Sequence, residues 1–328
     1  MSQRALQARL VVFSDDWGRH PSSCQHLVRH LLDRHPTLWV NTIGTRPPRL
    51  SVEDMGKALA KLRQWLGGGG RHEALTLPEH LTITNPTMWP GFRRKWQRRF
   101  NARRIVKAVH DALGPREPFV MRVAITTVPI TADLLGRLDV DRWVYYCPDD
   151  FSVWPGLDGS VMQAMEAQQV PRVDRIVAVS DTLVERLSAL SLGKPVELLT
   201  HGIDLEHWAA KSAAPSHIEA PAREKSSAGV GDFWPADAGP IKLFWGLIDQ
   251  RLDMRMIEAL AATPGTLVLV GPTQSPDPRL GRLANVRLPG PAAYAVLPVL
   301  AAGAGGTVIP YADVPVTGAM HALPRQAE

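Results

Sequence analysis

A chain of 328 residues, 45% hydrophobic and 21% charged, is long enough for two domains of ordinary size and too apolar to be disordered throughout. It contains no run of eighteen apolar residues, which argues against a membrane-spanning helix, and its two scattered cysteines, Cys24 and Cys147, make neither a disulfide framework nor a zinc-ligand set. The net charge of +5 is mild but concentrated in one segment, and the cysteine usage predicts a reducing, cytoplasmic setting.

The opening residues turn charged after a very short apolar stretch, so 10–13 reads as a first strand and not as a leader. Further short apolar runs at 38–43, 119–124, 143–146, 176–179 and 196–199 read as buried parallel strands. Segments with helical spacing lie between them, at 26–32, 52–66 and 182–190. Ser180 is placed to cap the last of these, with Thr182 and Glu185 at capping-box spacing as a nearby alternative start; Gly193 and Pro195 then stop the helix. Residues 209–239 are rich in Ala, Ser, Pro and Gly, lack periodicity, and read as a linker or mobile surface loop. Alternation resumes with strands at 241–247, 267–270, 286–288 and 307–309 and helices at 253–262 and 292–301. The expected organisation is α/β: two Rossmann-like doubly wound parallel-sheet domains, 1–208 and a partial 240–328, joined through 209–239.

Such sheets bind ligands at the carboxyl ends of their strands. Four loops there carry chemistry. After the first strand come Asp15, Asp16, Trp17, Gly18, Arg19 and His20, then a helix opening with Ser22 to His26. Loop and helix N-terminus together suit an anion or polar ligand, but the glycine spacing does not match a dinucleotide fingerprint. Asp149 and Asp150 follow the strand at 143–146; a hydrogen bond to a sugar hydroxyl, or holding a cleft in shape, is preferred to metal binding. His201 and Gly202 follow the strand at 196–199, where the imidazole either donates to a ligand or ties the turn. Gly246 and Arg251 close the first strand of the second half, where a guanidinium before a helix suits a diphosphate, unless Arg251 pairs with Asp249 or Asp253.

Residues 91–107 carry Arg93, Arg94, Lys95, Arg98, Arg99, Arg103 and Arg104 with no acid among them. Phe92, Trp96, Phe100 and Ile105 recur at helical spacing. An anionic membrane surface suits such a helix; a solvated helix packing its aromatic stripe on the sheet is the bland alternative, and nucleic acid is not expected.

The stretch RIVAVSDTLVERL followed by VELLTHGIDLEHW resembles the signature joining the halves of GT-B glycosyltransferases of the family 4 type: Asp174 before a strand, Ser180 before a helix, then a strand ending in His201 to Asp204. FWGLIDQRLD, LVLVGP, NVRLPG and VIPY are similar to the family's later strands, so the likeness spans most of 8–311. Asp149 and Asp150 resemble the paired aspartates of one branch, and RHPSSCQH approximates that branch's Arg-Pro-Gln-like motif with His20 inserted between Arg19 and Pro21. The resemblance implies transfer of a sugar from a nucleotide diphosphate sugar to a lipid-linked or polysaccharide acceptor, with retained configuration and without metal or other cofactor. It implies a donor held on the second domain by Gly246, Arg251, Tyr311 and Glu328, and an acceptor on the first, near Gly18, Arg19, His20, Asp149, Asp150, His201 and Gly202. No catalytic base is assigned. A cytoplasmic enzyme, peripheral on the inner face of a membrane, would follow. Beyond Tyr311 the family continues with a Pro-x-Lys-like stretch and a glutamate-bearing helix, whereas here Pro324 and Glu328 only echo it. The second domain is therefore expected to be incomplete, and the alternative function is that of a non-catalytic, truncated binding module.

Overall fold

A computed structural model describes residues 8–18, 22–42, 77–154, 157–212, 233 and 239–312. The chain divides into two compact units, with the break between His201 and Gly202.

The first unit is built on β1 (Ala8–Ser14), β2 (Thr37–Asn41), β3 (Leu81–Thr84), β4 (Met121–Thr126), β5 (Arg142–Cys147), β6 (Arg175–Ala178) and β7 (Val196–Leu198). All pair in parallel, in the order β3-β2-β1-β4-β5-β6-β7. The helices are α1 (Ser23–Arg29), α2 (Lys95–Leu113), α3 (Gly159–Gln169) and α4 (Asp181–Ser188). A parallel sheet covered on both faces needs nearly continuous apolar strands, and Leu10 to Phe13 and Leu38 to Val40 are accordingly buried. Each such Leu, Val or Phe contributes about 1.5–3 kcal/mol of burial. The Ser180 side chain caps α4 by accepting from Leu183 N, and Leu183 and Leu187 pack inward one turn apart. Helix α2 ends at Gly114, whose φ of 65° few side chains tolerate.

Two elements carry no strong sequence mark. Strand β3 alternates Leu81 and Ile83 with two threonines over four residues, and α3 buries Glu166 and Gln169 beside Met162 and Met165. The expected helix at 52–66 lies outside the described residues.

The second unit carries α5 (Leu205–Ser212), β8 (Ile241–Trp245), α6 (Met254–Ala262), β9 (Thr266–Val270), β10 (Val286–Gly290), α7 (Leu297–Gly303) and β11 (Gly306–Thr307). Its four described strands are parallel, ordered β10-β9-β8-β11. One face packs on α6 through Ile257 and Ala261; the other packs Leu243, Val268 and Val270 against Leu300 and Phe233. No described helix is long and apolar enough to cross a membrane.

Candidate functional site

In each sheet the strand order reverses beside the first strand, between β1 and β4 and between β8 and β11. Crevices open at such points because the flanking connections leave in opposite directions. Residues singled out from sequence gather at both.

At the first crevice the loop after β1 is held by amides. Gln25, fully buried on α1, accepts from Gly18 N at 3.1 Å and donates from Nε2 to the Asp16 carbonyl at 3.2 Å and to Asp15 Oδ2 at 3.3 Å. Asn41 Oδ1 accepts from Trp17 N at 3.1 Å. Gly18 has φ 79°, a turn that glycine makes without strain. His201, from the loop after β7, places Nδ1 2.6 Å from Ser23 Oγ at the start of α1. Burial lowers its pKa, so neutral imidazole is favoured and the hydroxyl can donate to it. Gly18, Ser23 and His201 therefore belong to one end of the sheet. Arg19 and His20 lie outside the described residues. Gln25 has a weak sequence signal: it falls on the buried line of Val28 and Leu32, where an apolar residue belongs.

Asp149 and Asp150 are used locally. Asp149 accepts from Trp154 Nε1 at 2.5 Å and from Asp150 N at 2.7 Å; Asp150 accepts from Ser152 N at 2.9 Å and Ser152 Oγ at 2.6 Å. Beneath them Glu166 accepts from Tyr145 Oη at 2.5 Å and from Arg186, whose Nε also lies 3.7 Å from Asp150. This buried network, not anticipated from sequence, braces the loop after β5. Among the described residues no three His, Cys, Asp or Glu side chains come together as metal ligands. Burial pushes the Cys24 and Cys147 thiols up to about 12, so neither is a thiolate nucleophile at neutral pH.

At the second crevice Gly246, Arg251 and Tyr311 converge. The Leu252–Tyr311 bridge and the bonds Asp253 N to Pro310 O and Ala312 N to Arg251 O tie the segment after β11 to the loop after β8. Arg251 Nε donates to both Asp249 oxygens, at 3.0 and 3.1 Å, and its guanidinium carbon lies 5.3 Å from the Tyr311 ring centre. The pair is not a surface one: Arg251 is 12% and Asp249 4% exposed. Arg255 takes Asp253, whose carboxylate caps α6. The hydrogen bond from Arg255 holds Asp253 below the usual carboxylate range, so an anion already sits at that helix N-terminus. Gly246 has φ 155°, and a Cβ there would stand 2.8 Å from the Phe244 ring and 3.3 Å from Tyr311 Oη. Packing alone thus demands glycine. A Cβ on Gly271, after β9, would overlap the Gly246 carbonyl at 1.8 Å. Gly202, by contrast, is exposed and has open space around it. Glu328 lies outside the described residues.

The basic segment divides by role. Arg98 forks onto Asp133 at 2.7 and 2.8 Å and reaches Gln168 at 2.7 Å, so it fastens α2 to the unit. Arg93 pairs with Asp158 at 2.7 Å. Arg94, Lys95, Arg99, Arg103 and Arg104 are exposed. The aromatic stripe is split, which corrects the bland expectation. Phe92 and Ile105 pack inward, but Trp96 and Phe100 are 49% and 43% exposed.

No protein-family model matches the chain, and a search of curated proteins finds no match. Solved structures do match. The chain is similar to the Escherichia coli trehalose-6-phosphate protein bound with UDP-2-fluoro glucose, at 12% identity and TM-score 0.52, covering 97% of this chain and 82% of that one. It is also similar to the α,α-trehalose-phosphate synthase (UDP-forming) of Burkholderia vietnamiensis, at 12% identity and TM-score 0.53, over 89% and 73%. A third likeness is to the α,α-trehalose 6-phosphate synthase of Burkholderia multivorans, at 11% identity and TM-score 0.52, over 89% and 75%. At such identities the likeness speaks to fold: parallel sheets with alternating helices, of the GT-B class.

Proposed function

We propose that the chain is a nucleotide-sugar glycosyltransferase of the family 4 type. It moves a hexose from a nucleotide diphosphate sugar to a lipid-linked or polysaccharide acceptor at the inner face of a membrane, with retention and without metal. The observation that carries the reading is the fold likeness, over nearly the whole chain, to a protein bound with UDP-2-fluoro glucose. The donor diphosphate rests at the second crevice, where Asp249 fixes the Arg251 fork and the Tyr311 ring backs it. A planar guanidinium offers paired donors to phosphate oxygens and stabilises the charge that develops on the leaving diphosphate. The acceptor binds the first unit near Gly18, Ser23 and His201. A donor phosphate oxygen takes the acceptor proton, so no protein base is required.

The test is a thermal-shift screen of UDP-, GDP-, dTDP- and ADP-sugars. A ligand at a hundredfold its Kd stabilises by about 2.7 kcal/mol, which is several degrees. Arg251→Lys keeps the charge and removes the fork; it should weaken donor binding at least tenfold while the protein still melts cooperatively. Lack of protection by every one of these donors, and by UDP and GDP, would sink the proposal. The second reading, a binding module without catalysis, is favoured by one observation: Arg251 already engages Asp249, and Asp253 caps α6. It predicts binding of an acceptor or a protein partner through the first unit, with no donor protection and no sugar transferred, as read by mass spectrometry of the acceptor.

A further inference from the structure

The outward face of α2 has a use that sugar transfer does not account for. Trp89, Trp96 and Phe100 are 46%, 49% and 43% exposed, an unusual cost for three large apolar side chains on one surface. The arrangement is built and not incidental. Asn101, fully buried on the inner side of α2, clamps the Trp89 backbone from both sides: Oδ1 accepts from Trp89 N at 2.6 Å and Nδ2 donates to Trp89 O at 3.0 Å. Held there, Trp89 packs edge-on against Trp96, with ring centres 5.1 Å apart. Trp96 and Phe100 lie one turn apart on α2, and Arg99, Arg103 and Arg104 flank them, all exposed.

One turn further along, the same face opens into a shallow groove of about 480 Å³ lined by Arg103, Val106, Lys107, His110, Asp111 and Arg137. Its one carboxylate, Asp111, is taken by Lys107 at 2.7 Å. Arg103 and Arg137 leave the groove with a positive balance.

We propose that this face is a docking surface for an anionic phospholipid bilayer: the aromatic trio enters the interface and the Arg103–Arg137 groove receives a phosphate headgroup. Aromatic side chains favour the headgroup level because their rings are apolar and, in tryptophan, carry a donor. Arginines beside them add attraction to negative lipid. Duplex nucleic acid would use the same charge, but its bases are stacked inside the helix and offer no faces to a rigid cluster of exposed indole and phenyl rings. The inference identifies the surface behind the membrane location suggested above, yet it does not depend on sugar transfer: an inactive chain would still bind.

Sedimentation with vesicles tests it, using the full chain, phosphatidylcholine alone and phosphatidylcholine with phosphatidylglycerol. Binding is expected only to the mixed vesicles, weakening as salt rises. Arg103→Ala with Arg137→Ala should weaken binding about thirtyfold, on the basis of roughly fivefold for each basic residue near the lipid. Trp96→Ala with Phe100→Ala should weaken it at least tenfold and leave the salt dependence unchanged. All four side chains are exposed, so the variants should retain the parent melting temperature, and inorganic phosphate should displace no more protein from the vesicles than sodium chloride at the same ionic strength. Equal binding to neutral vesicles, no binding to either, displacement by phosphate beyond that by sodium chloride, unchanged binding of the aromatic variant, or tighter binding to duplex DNA at the same salt would each overturn the proposal.

Discussion

The loops after the first strand of each unit solve the same problem with different forces. After β1, neutral amides hold the chain: Gln25 and Asn41 each reach across to backbone N–H groups, and Gln25 also meets Asp15. After β8, the chain is held by a buried ion pair, Asp249 with Arg251, and by two glycines packed against each other. Amide hydrogen bonds are directional and carry no net charge, so they fix the backbone around Gly18 by geometry, with the Asp15 carboxylate accepting from Gln25. An ion pair is costly to desolvate but leaves a fixed cation beside the turn. The first loop thus keeps its shape through amide geometry, the second through a buried charge pair.

Breaking the charged loop should have the largest effect. Asp249→Ala leaves Arg251 largely buried without this partner, which should cost about 3–5 kcal/mol in urea unfolding, while Asp249→Glu should recover part of it. Gly271→Ala comes next. It forces a methyl into the Gly246 carbonyl at a positive φ and should cost about 2–4 kcal/mol, with hydrogen-exchange protection lost in β8 and β9 and kept in β1 and β4. Breaking the neutral loop should be milder: Gln25→Ala removes bonds to Gly18 and Asp16, for about 1–3 kcal/mol, and the exchange pattern should reverse. An outcome in which Gln25→Ala exceeds Asp249→Ala would upset the comparison.

The smallest expected effect is on pH dependence. Burial lowers the His201 pKa below its unfolded value, so between the two values the unfolded chain binds more protons. His201 therefore contributes its full stability above the ordinary imidazole value and loses it as pH falls through that value toward the folded one. His201→Gln should flatten the stability curve in this window; an unchanged curve would remove His201 from the account. Gly202→Ala, which meets open space, serves as a control and should leave both stability and donor binding unaltered.

Strands and caps were readable from local pattern because their causes are local. Continuous apolar runs marked β1, β2, β8 and β9, and Ser180 was visible as a cap before its helix. The run at 91–107 announced a helix by its spacing, yet its orientation was hidden. Sequence cannot tell that Arg98 turns inward to Asp133 while Trp96 and Phe100 turn outward, since that depends on a partner 35 residues away. Strand β3 escaped notice because it is four residues long and only Leu81 is buried, and helix α3 because its buried Glu166 and Gln169 find their partners, Tyr145 and Thr131, only once the sheet has assembled.

The order of residues by itself determined that two parallel α/β units form and that polar loops follow their first strands, because both properties arise from short-range spacing and from turn chemistry. Only the assembled sheets decided which distant loops meet. Placing β11 beside β8 brings Tyr311 to Arg251, and the segment that follows the edge strand β7 brings His201 to Ser23, 178 residues away in sequence. Those meetings are fixed by where connections cross the sheet edge, a property of the whole hydrogen-bonded array and of no single segment.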